Sequence, residues 1–213
     1  MTPAEQSVRA LKICQLAPVI PVLVIEDAAH ARPLAEALVA GGLPVLEVTL
    51  RTPAALQAIA QMAQVEGAVV GAGTVLDADQ MEAARDAGAI FAVSPGATPA
   101  LIDAARLHQM ALLPGAQSCS EIMALLEQGY ELQKFFPAEA IGGAKALKAI
   151  GAPLPQVTFC PTGGITPALA QDYLALPNVA CVGGSWVAPA DLVAAGDWAA
   201  ITALARDAAG LAH

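Results

Sequence analysis

Eight short apolar runs recur along the chain about every 20 to 25 residues, and no other feature restricts its fold as strongly. They occupy residues 19–25, 45–50, 68–73, 90–94, 110–114, 132–136, 157–160 and 179–183. Between them lie stretches rich in Ala, Leu, Glu, Gln and Arg, at 28–40, 53–65, 78–87, 99–108, 118–128 and 167–174, a composition that favours helix. A strand-length run followed by a helix is a βα unit, and parallel strands need such crossovers. Eight units in about 200 residues predict an α/β chain folded as a compact (β/α)8 TIM barrel. A doubly wound sheet is the competing arrangement, because strand order is not written in one sequence. Helical spacing predicts an N-terminal helix over 1–15, and a closing helix is expected over 197–209, with Trp198 near its start. No linker, low-complexity tract or shift in composition divides the chain, so a single barrel domain over 1–213 is expected.

Local signals agree with this alternation. Thr52-Pro53, Thr98-Pro99 and Thr166-Pro167 each offer a hydroxyl at an N-cap and a proline at the first helical position. Gly41-Gly42, Gly88 and Gly129 stand where helices should stop.

With 56% hydrophobic and 14% charged residues, the chain can bury a large core. Its formal charge of -9 argues against a nucleic-acid or anionic-membrane partner, each of which needs a basic face. The longest apolar stretch, residues 16–25, contains two prolines and is too short to span a bilayer. The first 15 residues contain no signal-peptide core, so a cytoplasmic location is expected. Cys14, Cys119, Cys160 and Cys181 are far apart in sequence, with no C-x-x-C pair, and read as reduced, mostly buried residues. His30, His108 and His213 are equally scattered, so no metal is expected, and a structural or surface role is the default for each.

Strands of a parallel barrel are buried on both faces, so polar residues within them need a reason. The second run, Val45-Leu46-Glu47-Val48-Thr49-Leu50-Arg51, places Glu47, Thr49 and Arg51 on one face. In a barrel that face looks inward, and the carboxylate and guanidinium are expected to offset each other's desolvation. Lys134 presents the same problem. The other lysines, Lys12, Lys145 and Lys148, fall in helical segments, whereas Lys134 interrupts the apolar run at 132–137. Its ammonium loses hydration unless its charge is compensated or its pKa falls, and a lysine that can shed its proton is a nucleophile. By period two it shares a face with Leu132 and Phe136. A site holding Lys134, Glu47 and Arg51 contains a nucleophilic amine, a carboxylate to move protons and a fixed cation for an anionic substrate.

Two glycine pairs follow the seventh and eighth runs, in Pro161-Thr162-Gly163-Gly164-Ile165 and Gly183-Gly184-Ser185. Glycines at these two positions let backbone N–H groups approach a phosphate. The remaining glycine-containing turns, Gly71-Ala72-Gly73-Thr74, Ser94-Pro95-Gly96 and Pro114-Gly115, either admit substrate or simply turn the chain.

Together these motifs, with Lys134-Phe135-Phe136-Pro137-Ala138-Glu139 and Gly183-Gly184-Ser185-Trp186, resemble the pyruvate-dependent 2-keto-3-deoxy-6-phosphogluconate aldolases, which also handle 4-hydroxy-2-oxoglutarate. The resemblance implies a (β/α)8 barrel assembled as a homotrimer, a phosphorylated 2-keto acid as substrate, a place in the Entner–Doudoroff pathway, and no metal or other cofactor. It assigns Lys134 as Schiff-base nucleophile and Glu47 as general acid/base. Arg51 and Thr74 would hold the pyruvyl carboxylate, Thr162 would lie close to substrate, and Pro95 and Phe136 would shape the pocket. Gly163, Gly164, Gly184 and Ser185 would receive the phosphate. Gln133 departs from the apolar residue that the family tends to carry there, and is expected to point away from the barrel centre. Without the resemblance, a phosphate-binding isomerase or epimerase, a metal-dependent aldolase and a phosphosugar-binding regulator stay open.

Overall fold

A computed structural model describes residues 1–211, so His213 lies outside the described residues. The strands are β1 (Val19–Leu23), β2 (Val45–Thr49), β3 (Val69–Gly73), β4 (Phe91–Val93), β5 (Ala111–Leu113), β6 (Gly115–Ala116), β7 (Leu132–Phe135), β8 (Thr158–Pro161) and β9 (Val182–Gly184). The helices are α1 (Pro3–Cys14), α2 (Ala31–Ala40), α3 (Ala55–Met62), α4 (Ala78–Asp86), α5 (Pro99–Leu107), α6 (Cys119–Gln128), α7 (Gly143–Gly151), α8 (Pro167–Leu174), α9 (Ala190–Ala195) and α10 (Trp198–Ala209). Every named strand pairing is parallel. The predicted alternation is therefore present, but it is laid out as two sheets. One is a curled six-stranded sheet in the order β5-β4-β3-β2-β1-β9, and the other is a three-stranded sheet in the order β6-β7-β8. Isolated parallel bridges Phe159↔Val179 and Thr162↔Gly183 link β8 and the residue after it to the segment around β9. Residues 179–181 pair with β8 through the first bridge, and β9 begins at Val182, where pairing with β1 takes over.

Two apolar clusters hold the layers together. The larger lies between sheet and helices and includes Leu34 and Leu38 of α2, Ile59 and Met62 of α3, Leu147 of α7 and Ile201 of α10, all fully buried. Each such side chain contributes about 1.5–3 kcal/mol relative to exposure. The smaller cluster lies on the opposite face of the strands and joins Ile20, Val45, Phe91, Val93, Leu113 and Leu132 to Ala10, Ile13 and Cys14 of α1. The helix α1 starts with a capping box, Thr2 with Glu5, and has Pro3 in its first turn. It lies against β5 and β7. The hydroxyl of Tyr130 donates to Gln6 Oε1 at 2.7 Å, and the backbone N–H of Leu132 donates to Ser7 Oγ at 2.8 Å. These bonds fasten α1 beside the N-terminal end of β7.

Thr98 and Thr166 cap α5 and α8 as expected, and Gly129 ends α6 at φ 101°. Thr52 does not cap α3. That helix starts at Ala55, with Ala54 at the cap position and no side-chain bond. The Thr52 hydroxyl is spent on the carbonyl of Ile25, tying the end of β2 to the end of β1. The expected 28–40 helix is divided into a 3-10 turn over Ala28–His30, capped by Asp27, and α2. Among the described residues, no helix is long and apolar enough to cross a membrane.

Candidate active site

Successive parallel strands deliver their last residues to one end of the sheet, and a cavity of about 390 Å³ opens there. Its wall contains every residue singled out from the sequence: Glu47, Arg51, Thr74, Pro95, Lys134, Phe136, Thr162, Gly163, Gly164, Gly184 and Ser185. Val22, Ile165 and Gly183 complete it, together with Thr49. Val22 and Ile165 were not anticipated, because an apolar residue in an apolar run carries no chemical signal.

Lys134 and Glu47 form the buried centre. Lys134 Nζ donates to Glu47 Oε1 at 3.2 Å, with the side chains only 7% and 4% exposed. The ammonium also lies 5.3 Å from the Phe136 ring centroid, so the expected Phe136 neighbour adds a cation–π contact. Thus the charge of Lys134 is compensated by a carboxylate and an aromatic face. Arg51 favours the Glu47 charge as expected, but as the weaker of two nearby cations. The partner of Glu47 is Lys134, from the other sheet, while Arg51 Nε donates to Thr49 Oγ1 at 3.2 Å and remains exposed. A strand two residues long from carboxylate to guanidinium holds both on one face but carries the longer side chain towards the sheet end and water. Thr49 Oγ1 in turn donates to the carbonyl of Leu23 at 2.8 Å, which fixes the platform for Arg51.

Burial pushes the Glu47 carboxyl above the usual carboxylate range. The charge of Lys134 opposes this, and the neighbouring Cys160 adds to it. Space for Glu47 comes from Gly73 on β3, where a Cβ would stand 2.3 Å from Glu47 Oε1. The adjacent Thr74 takes φ 59°, a left-handed conformation that is costly for a β-branched residue and sets its side chain in the cavity wall. Gly73 therefore serves the site by admitting a carboxylate.

Opposite the pair, the loop after β8 turns through Gly163 and Gly164 at φ 106° and 77°. It is held from behind by β7's continuation. Ala138 N–H donates to the Thr162 carbonyl at 2.8 Å and Glu139 N–H to the Gly163 carbonyl at 3.1 Å. Glu139 itself accepts from the Tyr173 hydroxyl of α8. Gly184 is overlain by the Trp186 ring, which would lie 1.9 Å from a Cβ there. The hydroxyl of Thr162 is buried and has no protein partner, although it belongs to the cavity wall. Gln133 points away from this cavity, as expected, with Nε2 donating to the carbonyls of Ile122 and Tyr130 at 3.0 and 2.9 Å. It ties β7 to α6, a role an apolar residue could not perform.

A family model described as "KDPG and KHG aldolase" matches residues 11–204. The chain belongs to the KDPG and KHG aldolase family. A 2-dehydro-3-deoxy-phosphogluconate aldolase of Pseudoalteromonas atlantica is 58% identical over 192 residues, covering 90% of this chain and 89% of that protein. The solved 2-keto-3-deoxy-6-phosphogluconate aldolase of Zymomonas mobilis, crystallised with 3-phosphoglycerate, superposes with a TM-score of 0.90 at 55% identity, over 95% of this chain and 96% of that one. The KDPG aldolase of Legionella pneumophila, with pyruvate captured as a covalent carbinolamine, gives a TM-score of 0.91 at 47% identity, over 94% and 98% of the two chains. Membership of this aldolase family makes the chain an aldehyde-lyase.

The three cysteines read as scattered are not scattered in space. Cys14, Cys160 and Cys181 converge, and their sulfurs all lie within 4.8 Å of one another. Cys119 is exposed on α6.

Proposed function

We propose that the chain is a Schiff-base, class I aldolase that cleaves 2-keto-3-deoxy-6-phosphogluconate to pyruvate and glyceraldehyde-3-phosphate, and 4-hydroxy-2-oxoglutarate to pyruvate and glyoxylate. The observation that carries the reading is Lys134 Nζ, buried in a cavity wall 3.2 Å from Glu47 Oε1. Lys134 passes a proton to Glu47 and attacks the C2 ketone, and loss of water leaves an iminium. Glu47, once deprotonated, takes the proton of the C4 hydroxyl. The C3–C4 bonding pair flows into the iminium as an enamine, and the aldehyde departs. Protonation of the enamine at C3 and hydrolysis of the imine release pyruvate and restore the amine. The electron sink is the iminium itself, so the reaction draws on no metal or cofactor. A carboxyl with its pKa raised by burial is suited to both directions of transfer.

In this reading Arg51 and Thr74 hold the carboxylate end, Thr162 offers its unpartnered hydroxyl, and Pro95 and Phe136 bound the pocket. Gly163, Gly164, Gly184 and Ser185 cradle the phosphate. The same reading takes the two sheets as one closed (β/α)8 barrel. The bridges at Phe159↔Val179 and Thr162↔Gly183 support closure on one side, and the adjacency of β5 and β6 around Pro114 supports it on the other. It also takes residues 1–213 as one domain, acting as a cytoplasmic homotrimer on its phosphorylated substrate. Mass measurement in solution tests the trimer.

Borohydride reduction in the presence of pyruvate tests the chemistry. A stable adduct is expected on the peptide containing Lys134; an adduct on Lys145, on Lys148 or on no lysine removes the mechanism.

A further inference from the structure

We infer that Cys14, Cys160 and Cys181 form a binding site for a soft, low-coordinate d10 cation, with Cu(I) as the ion that best fits. The three residues come from separate elements, the end of α1, the middle of β8 and the residue before β9. Their sulfurs lie mutually within 4.8 Å, and all three side chains are buried. Trigonal coordination at a metal–sulfur distance of about 2.3 Å sets the sulfurs about 4.0 Å apart, so modest side-chain rotation closes the triangle. The group comprises thiols alone, which selects against Mg(II), Ca(II) and Mn(II). Zn(II) prefers four ligands, whereas Cu(I) shares the thiolate preference and tolerates three.

Charge also fits a monovalent ion. Binding replaces two thiol protons, which leave to solvent, while the third sulfur donates as a thiol, and no electron is transferred. The loaded site carries one net negative charge. Lys134 and Cys160 are register partners on β7 and β8, which places the ammonium on the same face as the thiols. A surface depression lined by Gln15, Val179 and Ala180 lies next to the chain segments carrying Cys14 and Cys181. The inference does not depend on the aldolase reading.

The test uses the full chain carrying Cys119→Ser, which removes the exposed thiol, under anaerobic conditions with Cu(I) supplied from a chromophoric chelator. One equivalent is expected to transfer, with X-ray absorption showing three sulfur neighbours. Adding Cys14→Ala to that background removes one of three ligands and should weaken Cu(I) retention by at least ~10-fold, no less than the loss of an outer-shell partner costs. Failure to take Cu(I) from the chelator, fewer than three sulfurs, or a smaller loss in the Cys14→Ala protein overturns the proposal. If Cys14→Ala does not fold, the sulfur count in the Cys119→Ser protein decides it alone.

Discussion

The two ends of the parallel strands bury unusual side chains in opposite ways. At the C-terminal ends, Glu47 and Lys134 are charged partners at the wall of an open cavity. At the N-terminal ends, α1 packs on the sheet, and what is buried is neutral: the Tyr130–Gln6 bond and the Ser7 hydroxyl. One end keeps charge because each charge has a partner and a solvent-accessible reaction space. At the other end the buried polar groups are uncharged and satisfied by hydrogen bonds. Activity should therefore be lost by changes at the first end, and stability by changes at the second.

The largest break in this contrast is Lys134→Met, which should abolish turnover and borohydride trapping together; residual trapping with pyruvate would place the nucleophile elsewhere. Glu47→Gln comes next. It should lower kcat by about 10²–10⁴-fold while retaining pyruvate trapping, and unchanged turnover would remove Glu47 from its role.

The raised pKa of Glu47 adds a pH signature. A raised carboxyl binds its proton more tightly folded than unfolded. Its contribution to stability is complete below the usual carboxylate pKa and is lost as pH rises through the folded value. The stability of the parent relative to Glu47→Gln should fall across that window, measured by denaturant midpoint. A difference independent of pH would contradict the burial argument. The acid limb of kcat/KM should likewise lie above the usual carboxylate range.

Ser185→Ala sharpens the assignment of the phosphate end. Loss of one hydrogen bond to a charged oxygen costs about 1.5–3 kcal/mol, so KM should rise by at least about tenfold for the phosphorylated substrate. 4-Hydroxy-2-oxoglutarate, which has no phosphate, should be unaffected; equal losses on both would refute the assignment. The smallest effect is expected from Tyr130→Phe at the N-terminal ends. It leaves Gln6 Oε1 buried without its donor and should cost about 1–3 kcal/mol of stability with kcat unchanged.

Much of the site could be read before any coordinates because its residues violate local expectation. Lys134 in an apolar run and Glu47 in a buried strand each demand an explanation that only a partner supplies. The direct partner is not local in sequence. Arg51, two residues from Glu47, was the available cation in sequence, whereas the true one lies 87 residues away on the other sheet. Thr52 failed as a cap for a related reason, since its hydroxyl had a tertiary acceptor in Ile25 that outranked the helix end. The reason for Gln133 is likewise tertiary, since one of the two carbonyls it binds, that of Ile122, belongs to α6.

By itself, the amino-acid order determined the alternation of strand and helix, the caps at Thr98 and Thr166, and which side chains are chemically out of place. Those properties depend on neighbours within a few residues, where periodicity and hydrogen-bond reach are local. Only the tertiary structure decided that Lys134 compensates Glu47, that Gly73 makes room for it, and that three distant cysteines meet. Each of these is a contact between strands or helices remote in sequence, fixed by sheet register and by the packing of α1, and no local pattern encodes a distance across the fold.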